Sequence, residues 1–183
     1  MKDEERIKNL FEIMKRLDSY LNATNQKVAV VITYCAAVLG WLSLNTSKIS
    51  SLATVGWIHV LVYCLLFLIV ISSCYCLARA AYILFPNTSS SIERVVDDSL
   101  IFYGDISAAK GGSRGYHDRV SSVSSDDLIK DLSQQVFTVS KILSGKMAAI
   151  QKLVIALVFS NFIPVALLLM ALMIDSIVVG SSS

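Results

Sequence analysis

Three long uncharged runs, 28–47, 49–78 and 153–174, constrain this 183-residue chain more than any motif in it. A helix needs about 20 apolar residues to cross a hydrocarbon core of roughly 30 Å, and each run supplies them. Fifteen of the sixteen Lys and Arg residues lie on one side of these runs. Six precede the first (Lys2, Arg6, Lys8, Lys15, Arg16 and Lys27). Nine lie between the second and the third (Arg79, Arg94, Lys110, Arg114, Arg119, Lys130, Lys141, Lys146 and Lys152). The connector between the first two runs has Lys48 alone, and the tail after residue 174 has none. The positive-inside rule then puts the N-terminus and the middle region in the cytoplasm and the C-terminus outside. The expectation is an all-α integral membrane protein with three transmembrane helices and cytosolic helical extensions.

Composition agrees: 55% of the residues are hydrophobic and 16% charged, which is a membrane balance rather than a soluble one. The first run follows a charged segment of 27 residues and ends without a small-residue cleavage pattern, so it reads as a span rather than a signal peptide. The four cysteines, Cys35, Cys64, Cys74 and Cys76, all fall inside apolar runs, where they read as small buried hydrophobes rather than a disulfide framework or a zinc site. A net charge of +2 excludes a strong nucleic-acid footprint. The charges outside the spans nearly balance, so an anionic ligand has to be held by a local cluster.

Residues 1–27 read as a cytosolic amphipathic helix, with Ile7, Leu10, Phe11, Met14, Leu17 and Leu21 at helical spacing. A packing face or a lipid-surface face fits that pattern. Residues 28–85 form a transmembrane hairpin, with helices at about 28–44 and 55–78. Trp41 and Trp57 are the outer anchors, and Asn45–Thr54 is a short connector. The second run, as a helix of about 45 Å, exceeds the core thickness, so it extends into the cytosol and ends before Pro86. Residues 86–124 read as an irregular cytosolic sensing region, with Lys110–Gly115 flexible by composition. A cytosolic helix at 125–150 starts at a capping box, Ser124 with Asp127. Its apolar stripe (Leu128, Ile129, Leu132, Val136, Val139, Leu143, Met147, Ile150) runs into the third span, 151–175. Gly145 marks the membrane boundary as a possible hinge, and 176–183 is an external tail.

Polar residues inside spans face helices or water, because lipid cannot satisfy them. His59 in the second span, and Ser160, Asn161 and Pro164 in the third, are therefore either interhelical hydrogen-bonding groups or the wall of a water path. Thr33, Ser43, Ser72 and Ser73 are further water-tolerant positions. Asp175, at the outer end of the third span, would draw cations in an oligomer. The candidate pore-lining set is Ser160, Asn161, Asp175 and His59. No catalytic, metal-ligand or phosphate-loop signature appears, so neither an enzyme nor a cofactor is expected. Lys110, Arg114, His117 and Arg119 cluster around Gly111, Gly112 and Gly115. Such a segment is either a solvated loop or a phosphate cradle built from cations and backbone N–H groups.

Three stretches resemble the Pycsar-type transmembrane effector family of bacterial anti-phage defence. The first, Thr24-Asn25-Gln26-Lys27-Val28-Ala29, leads into the first span. The second is Ser99-Leu100-Ile101-Phe102-Tyr103-Gly104-Asp105-Ile106. The third, Asp126-Asp127-Leu128-Ile129-Lys130-Asp131-Leu132-Ser133-Gln134-Gln135-Val136-Phe137, is followed by Ser140-Lys141-Ile142-Leu143 and Lys146 and leads into the third span. Their order and spacing carry the likeness over most of the chain. The family's usual acidic residue beside the first-span Lys is replaced by Asn25 and Gln26. Hailong-type channel effectors are similar in layout. The resemblance implies a bacterial inner-membrane effector controlled by a nucleotide second messenger, a cyclic nucleotide or oligonucleotide, from a partner nucleotidyltransferase or cyclase. It adds Tyr103 and Asp105 to the candidate nucleotide-binding residues.

Three mostly apolar helices cannot enclose water alone, so a channel requires a homo-oligomer, with a tetramer as the expected size. The competing reading is a non-conducting membrane scaffold that recruits a cytosolic partner through 79–152.

Overall fold

Inside a bilayer no water can satisfy a backbone N–H or C=O, which leaves an apolar spanning chain the choice between helix and closed barrel. The computed structural model describes residues 2–52, 56–85 and 99–181, with the backbone alone for 48, 50–52, 175, 176 and 178–181. Every element among them is helical: α1 Asp3–Leu52, α2 Gly56–Leu84, α3 Tyr103–Ser107, α4 Gly112–Ser122, α5 Ser125–Leu157, a π-helical turn Val158–Phe162, and α6 Ile163–Ser181. Three helical stretches are long and apolar enough to cross a membrane: one within α1, α2, and the continuous α5–π–α6. The protein is thus an all-α membrane protein with helical extensions beyond its spans. The segment Pro86–Ser91, read from the sequence as a loop, lies outside the described residues.

The chain divides into two units. The first combines Met1–Thr24 with Pro86–Met147, the second Asn25–Phe85 with Ala148–Ser183. In the first unit the half-buried side chains of α1 are Ile7, Leu10, Met14, Leu17 and Leu21, and Thr24 is buried. These positions alternate steps of three and four, the seven-residue pattern of helices that pack side by side. Phe11, an expected member of the stripe, is 50% exposed. The Thr24 hydroxyl donates to the Tyr20 carbonyl at 2.6 Å and lies 3.5 Å from the Met147 sulfur, which fastens the middle of α1 to α5.

In the second unit Val28, Val31, Cys35, Val38, Leu42 and Ile49 turn inward with the same alternation. The sequence reading ends this span near residue 44, whereas α1 continues to Leu52. Its small polar residues there bond to their own helix instead of leaving it. The Ser43 hydroxyl donates to Gly40 O at 2.9 Å, and the Asn45 amide to Trp41 O at 2.9 Å. Ile49 adds an apolar anchor beyond them. α6 likewise runs on to Ser181, through the expected external tail.

Two apolar clusters fill the second unit. One joins Leu42 and Ile49 of α1 to Ile58, Val62, Leu65, Leu66 and Ile69 of α2 and to Leu168 and Ala171 of α6. The other joins Val28, Val31 and Cys35 to Cys76, Ala80 and Ile83 and to Ile150, Leu153 and Leu157 of α5. Cys35 and Cys76 are buried, as expected, but Cys64 and Cys74 face outward.

Asn161 sits with 0% exposure among the three spans. Its amide nitrogen donates to Ser73 Oγ at 2.7 Å, Ser72 Oγ at 3.0 Å and Ile69 O at 3.3 Å, and its Oδ1 accepts from the Tyr34 hydroxyl at 3.0 Å. The Tyr34 ring also stacks on Phe162 at 4.6 Å. The π turn that holds Asn161 has a local cause. Pro164 has no N–H to give the Ser160 carbonyl and its ring crowds that carbonyl, so the helix widens before it. The Ile163 N–H accordingly reaches back five residues to Val158 O.

Two outcomes are expected. Asn161→Leu leaves Ser73 and Tyr34 without their partner and lowers stability by about 1–2 kcal/mol, read as a reduced melting temperature in detergent. An unchanged melting temperature would show that the amide is dispensable. Gly145 lies inside an unbroken α5, exposed, and a Cβ there would meet nothing within 4 Å. Gly145→Ala should therefore raise stability by about 1 kcal/mol in the same measurement, and a decrease would reveal that the position needs glycine.

Candidate functional site

Gln135 interrupts an apolar stripe. On α5, Leu128, Leu132 and Val139 turn inward, and Gln135 stands among them at only 5% exposure. A buried amide requires partners. Gln135 finds one in Ser99, itself 7% exposed: its Nε2 donates to Ser99 Oγ at 3.0 Å. Asp131, one turn earlier on the same face, completes the grip. Its Oδ2 accepts from Ser99 Oγ at 3.1 Å and from the Leu100 N–H at 2.8 Å.

The rest of the first unit's connecting segment is organised around this clasp. Ser99 Oγ also accepts from the N–H groups of Ile101 at 3.2 Å and Phe102 at 3.1 Å, which bends 99–102 into a turn that launches α3. Asp105 reaches back from the first turn of α3 and accepts the Ser99 N–H at 3.0 Å. The Tyr116 hydroxyl donates to Leu100 O at 2.9 Å and ties in α4. Ser124 caps α5: its hydroxyl donates to Asp127 Oδ2 at 2.6 Å and accepts the Asp127 N–H at 3.1 Å.

The segment Lys110–Gly115, expected to be a flexible loop, is instead the tight entry to α4. Gly111 has φ +82°, a conformation L side chains rarely adopt. At Gly115 a Cβ would lie 1.9 Å from the Lys110 carbonyl oxygen, so only glycine fits there. Both glycines are thus requirements of the turn.

Of the expected nucleotide-binding residues, Lys110, Arg114 and His117 are exposed and Arg119 is half-buried. Arg114 and His117 share a face of α4. Arg119 lies about 140° round the helix from Arg114, so these two do not share a face. Tyr103 is 66% exposed, its ring 4.7 Å from that of Phe102. Asp105 is half-buried in the clasp just described.

Of the expected pore residues, Asn161 is enclosed within the protomer. The Ser160 hydroxyl donates to its own helix at Ala156 O, 2.6 Å. His59 is half-buried, edge-on to Tyr63 at 4.8 Å. Asp175 lies in α6, with its side chain outside the described residues.

Ser99, Asp131 and Gln135 stand in the stretches that carry the family resemblance, without a role assigned from the sequence, and the sequence reading does not single out Tyr116 at all. The available signal was the polar Gln135 at an inward position of an apolar stripe, with a carboxylate one turn before it.

Asp131→Ala removes the acceptor for Ser99 and Leu100, leaving the half-buried Leu100 N–H unpaired at a cost of about 1 kcal/mol. The expected result is faster amide hydrogen exchange at Leu100 and Phe102, with α2 unaffected. Unchanged protection at both amides would remove Asp131 from this role.

The family model described as the Pycsar effector protein domain matches residues 9–174. Among curated proteins, the Pycsar effector protein EcPycTM of Escherichia coli is 28% identical over 147 residues, covering 79% of each chain. No solved structure matches. With a match that takes in all three candidate spans and the residues of the clasp, the chain belongs to the Pycsar effector family of anti-phage defence.

Proposed function

We propose that this protein is a non-enzymatic, nucleotide-controlled effector that assembles as a homo-oligomer in the bacterial inner membrane. The N-terminus is cytoplasmic and the C-terminus periplasmic. On release it opens a channel or breaches the membrane, and the infected cell stops growing. Four copies around one axis form the assembly. The controlling ligand is a cyclic nucleotide or oligonucleotide from a partner nucleotidyltransferase or cyclase.

The observation that carries this reading is the division of labour within one family-matched chain. One unit spends its polar side chains on organising a segment outside the spans. The other spends its central polar group on holding three spans together. With Asn161 committed inside the protomer, a water path needs several protomers around an axis. His59, Ser160 and Asp175 are then the pore-wall positions, and Asn161 keeps each protomer's spans together. In the first unit, Lys110 and the face of α4 that carries Arg114 and His117 supply the phosphate-facing side chains of this proposal, and Arg119, on another face of α4, is not one of them. Tyr103 offers a ring for a base and Asp105 an acceptor for a sugar or base donor.

Conductance across planar bilayers containing the purified protein tests the proposal. Wild type carries current whose size depends on added nucleotide. Replacing Lys110 and Arg114 together with Gln weakens nucleotide binding by about tenfold or more, since each charge-assisted hydrogen bond contributes roughly 1.5–3 kcal/mol. The nucleotide concentration that changes the current shifts by the same factor. A complete absence of current under all nucleotide conditions would leave the scaffold reading in its place.

A further inference from the structure

The second unit has a charge pattern that its fold does not use. From 25 to 85 and from 148 to 174 the chain contains no Asp or Glu. At one end of the unit each spanning helix nonetheless carries a cation: Lys27 on α1, Arg79 on α2 and Lys152 on α5. The three border one apolar cluster. Each immediately precedes a buried residue, Val28, Ala80 and Leu153, and these three belong to one apolar cluster. All three cations are exposed. The guanidinium of Arg79 lies 5.8 Å from the centre of the Tyr82 ring, a cation–π distance. Tyr82 and Phe85 are themselves 71% and 73% exposed, as aromatic residues are at a membrane–water boundary.

An exposed cation beside the apolar end of a spanning helix extends its stem along hydrocarbon and its charge to the headgroup level. With no carboxylate in this unit at that level, the complementary charge must come from elsewhere. The bilayer supplies it as the phosphate groups of anionic lipids. We propose that Lys27, Arg79 and Lys152 form a belt that binds the headgroups of anionic phospholipids. The assignment is independent of nucleotide control. It concerns spans that lie in lipid whatever ligand the first unit takes.

The full chain in neutral detergent, titrated with phosphatidylglycerol and separately with phosphatidylcholine, gives the test, with bound lipid counted by native mass spectrometry. Wild type prefers phosphatidylglycerol. Each replacement among Lys27→Gln, Arg79→Gln and Lys152→Gln weakens that lipid by about fivefold, and the triple variant loses the preference while its phosphatidylcholine binding is unchanged. The paired variant Lys27→Arg with Lys152→Arg keeps the preference, which separates charge from folding. A preference that survives in the triple Gln variant, or that is lost in the Arg variant, overturns the proposal. So does displacement of phosphatidylglycerol by an equal concentration of a 3′,5′-cyclic mononucleotide, because the belt would then be a nucleotide site. The lipid arms contain no nucleotide, so their failure leaves nucleotide control untouched, and the reverse also holds.

Discussion

The interior of a bilayer offers no substitute for a missing hydrogen bond, and the second unit is arranged around that constraint. Its three spans are almost wholly apolar, so dispersion and shape complementarity do most of the packing. Apolar contacts alone are permissive, because one Leu slides past another at little cost. Asn161 is specific. Its amide must find Ser72, Ser73 and the Tyr34 hydroxyl together, and only one arrangement of α1, α2 and the third span provides them. The π turn and Pro164 belong to the same solution, since they set the local backbone that carries the amide.

The first unit solves a different problem with similar means. Its connecting segment contains only short helices, and α3 has five residues. Such a helix is not stable by itself, because nucleation costs more than a single turn returns. Ser99 substitutes for that missing cooperativity. It gathers the N–H groups of Ile101 and Phe102, while its own backbone and side chain are held by Asp105 and Asp131. The segment is therefore held by side chains of neighbouring helices rather than by its own regular structure.

How much of this was legible in the sequence depended on the range of the interaction. Span number and the capping box at Ser124 rest on local composition and short spacing, and they could be read directly. The polar hub was half legible: Asn161 stood out as polar among apolar residues, but one dimension cannot distinguish a packing amide from a pore amide. The clasp was illegible as a clasp, because Ser99 and Gln135 are thirty-six residues apart in sequence. The turn before α4 was misread for a related reason. Lys110-Gly111-Gly112-Ser113-Arg114-Gly115 looks flexible by composition. Yet Gly111 and Gly115 are there because a Cβ would be strained at one and would collide with a carbonyl at the other. Composition alone does not separate glycine that loosens a chain from glycine that tightens it.

The alternation along α1 has a consequence for how the chain can change length. In the second unit Val28, Val31, Cys35, Val38, Leu42 and Ile49 all keep one phase. One residue inserted after Ala36 would leave charge and hydropathy untouched, yet it would swing Leu42 and Ile49 by about 100° away from Ile58 and Val62. Seven inserted residues would restore the phase and lengthen the helix by about 10 Å. Length variation in this span should therefore be quantised, arriving in whole heptads.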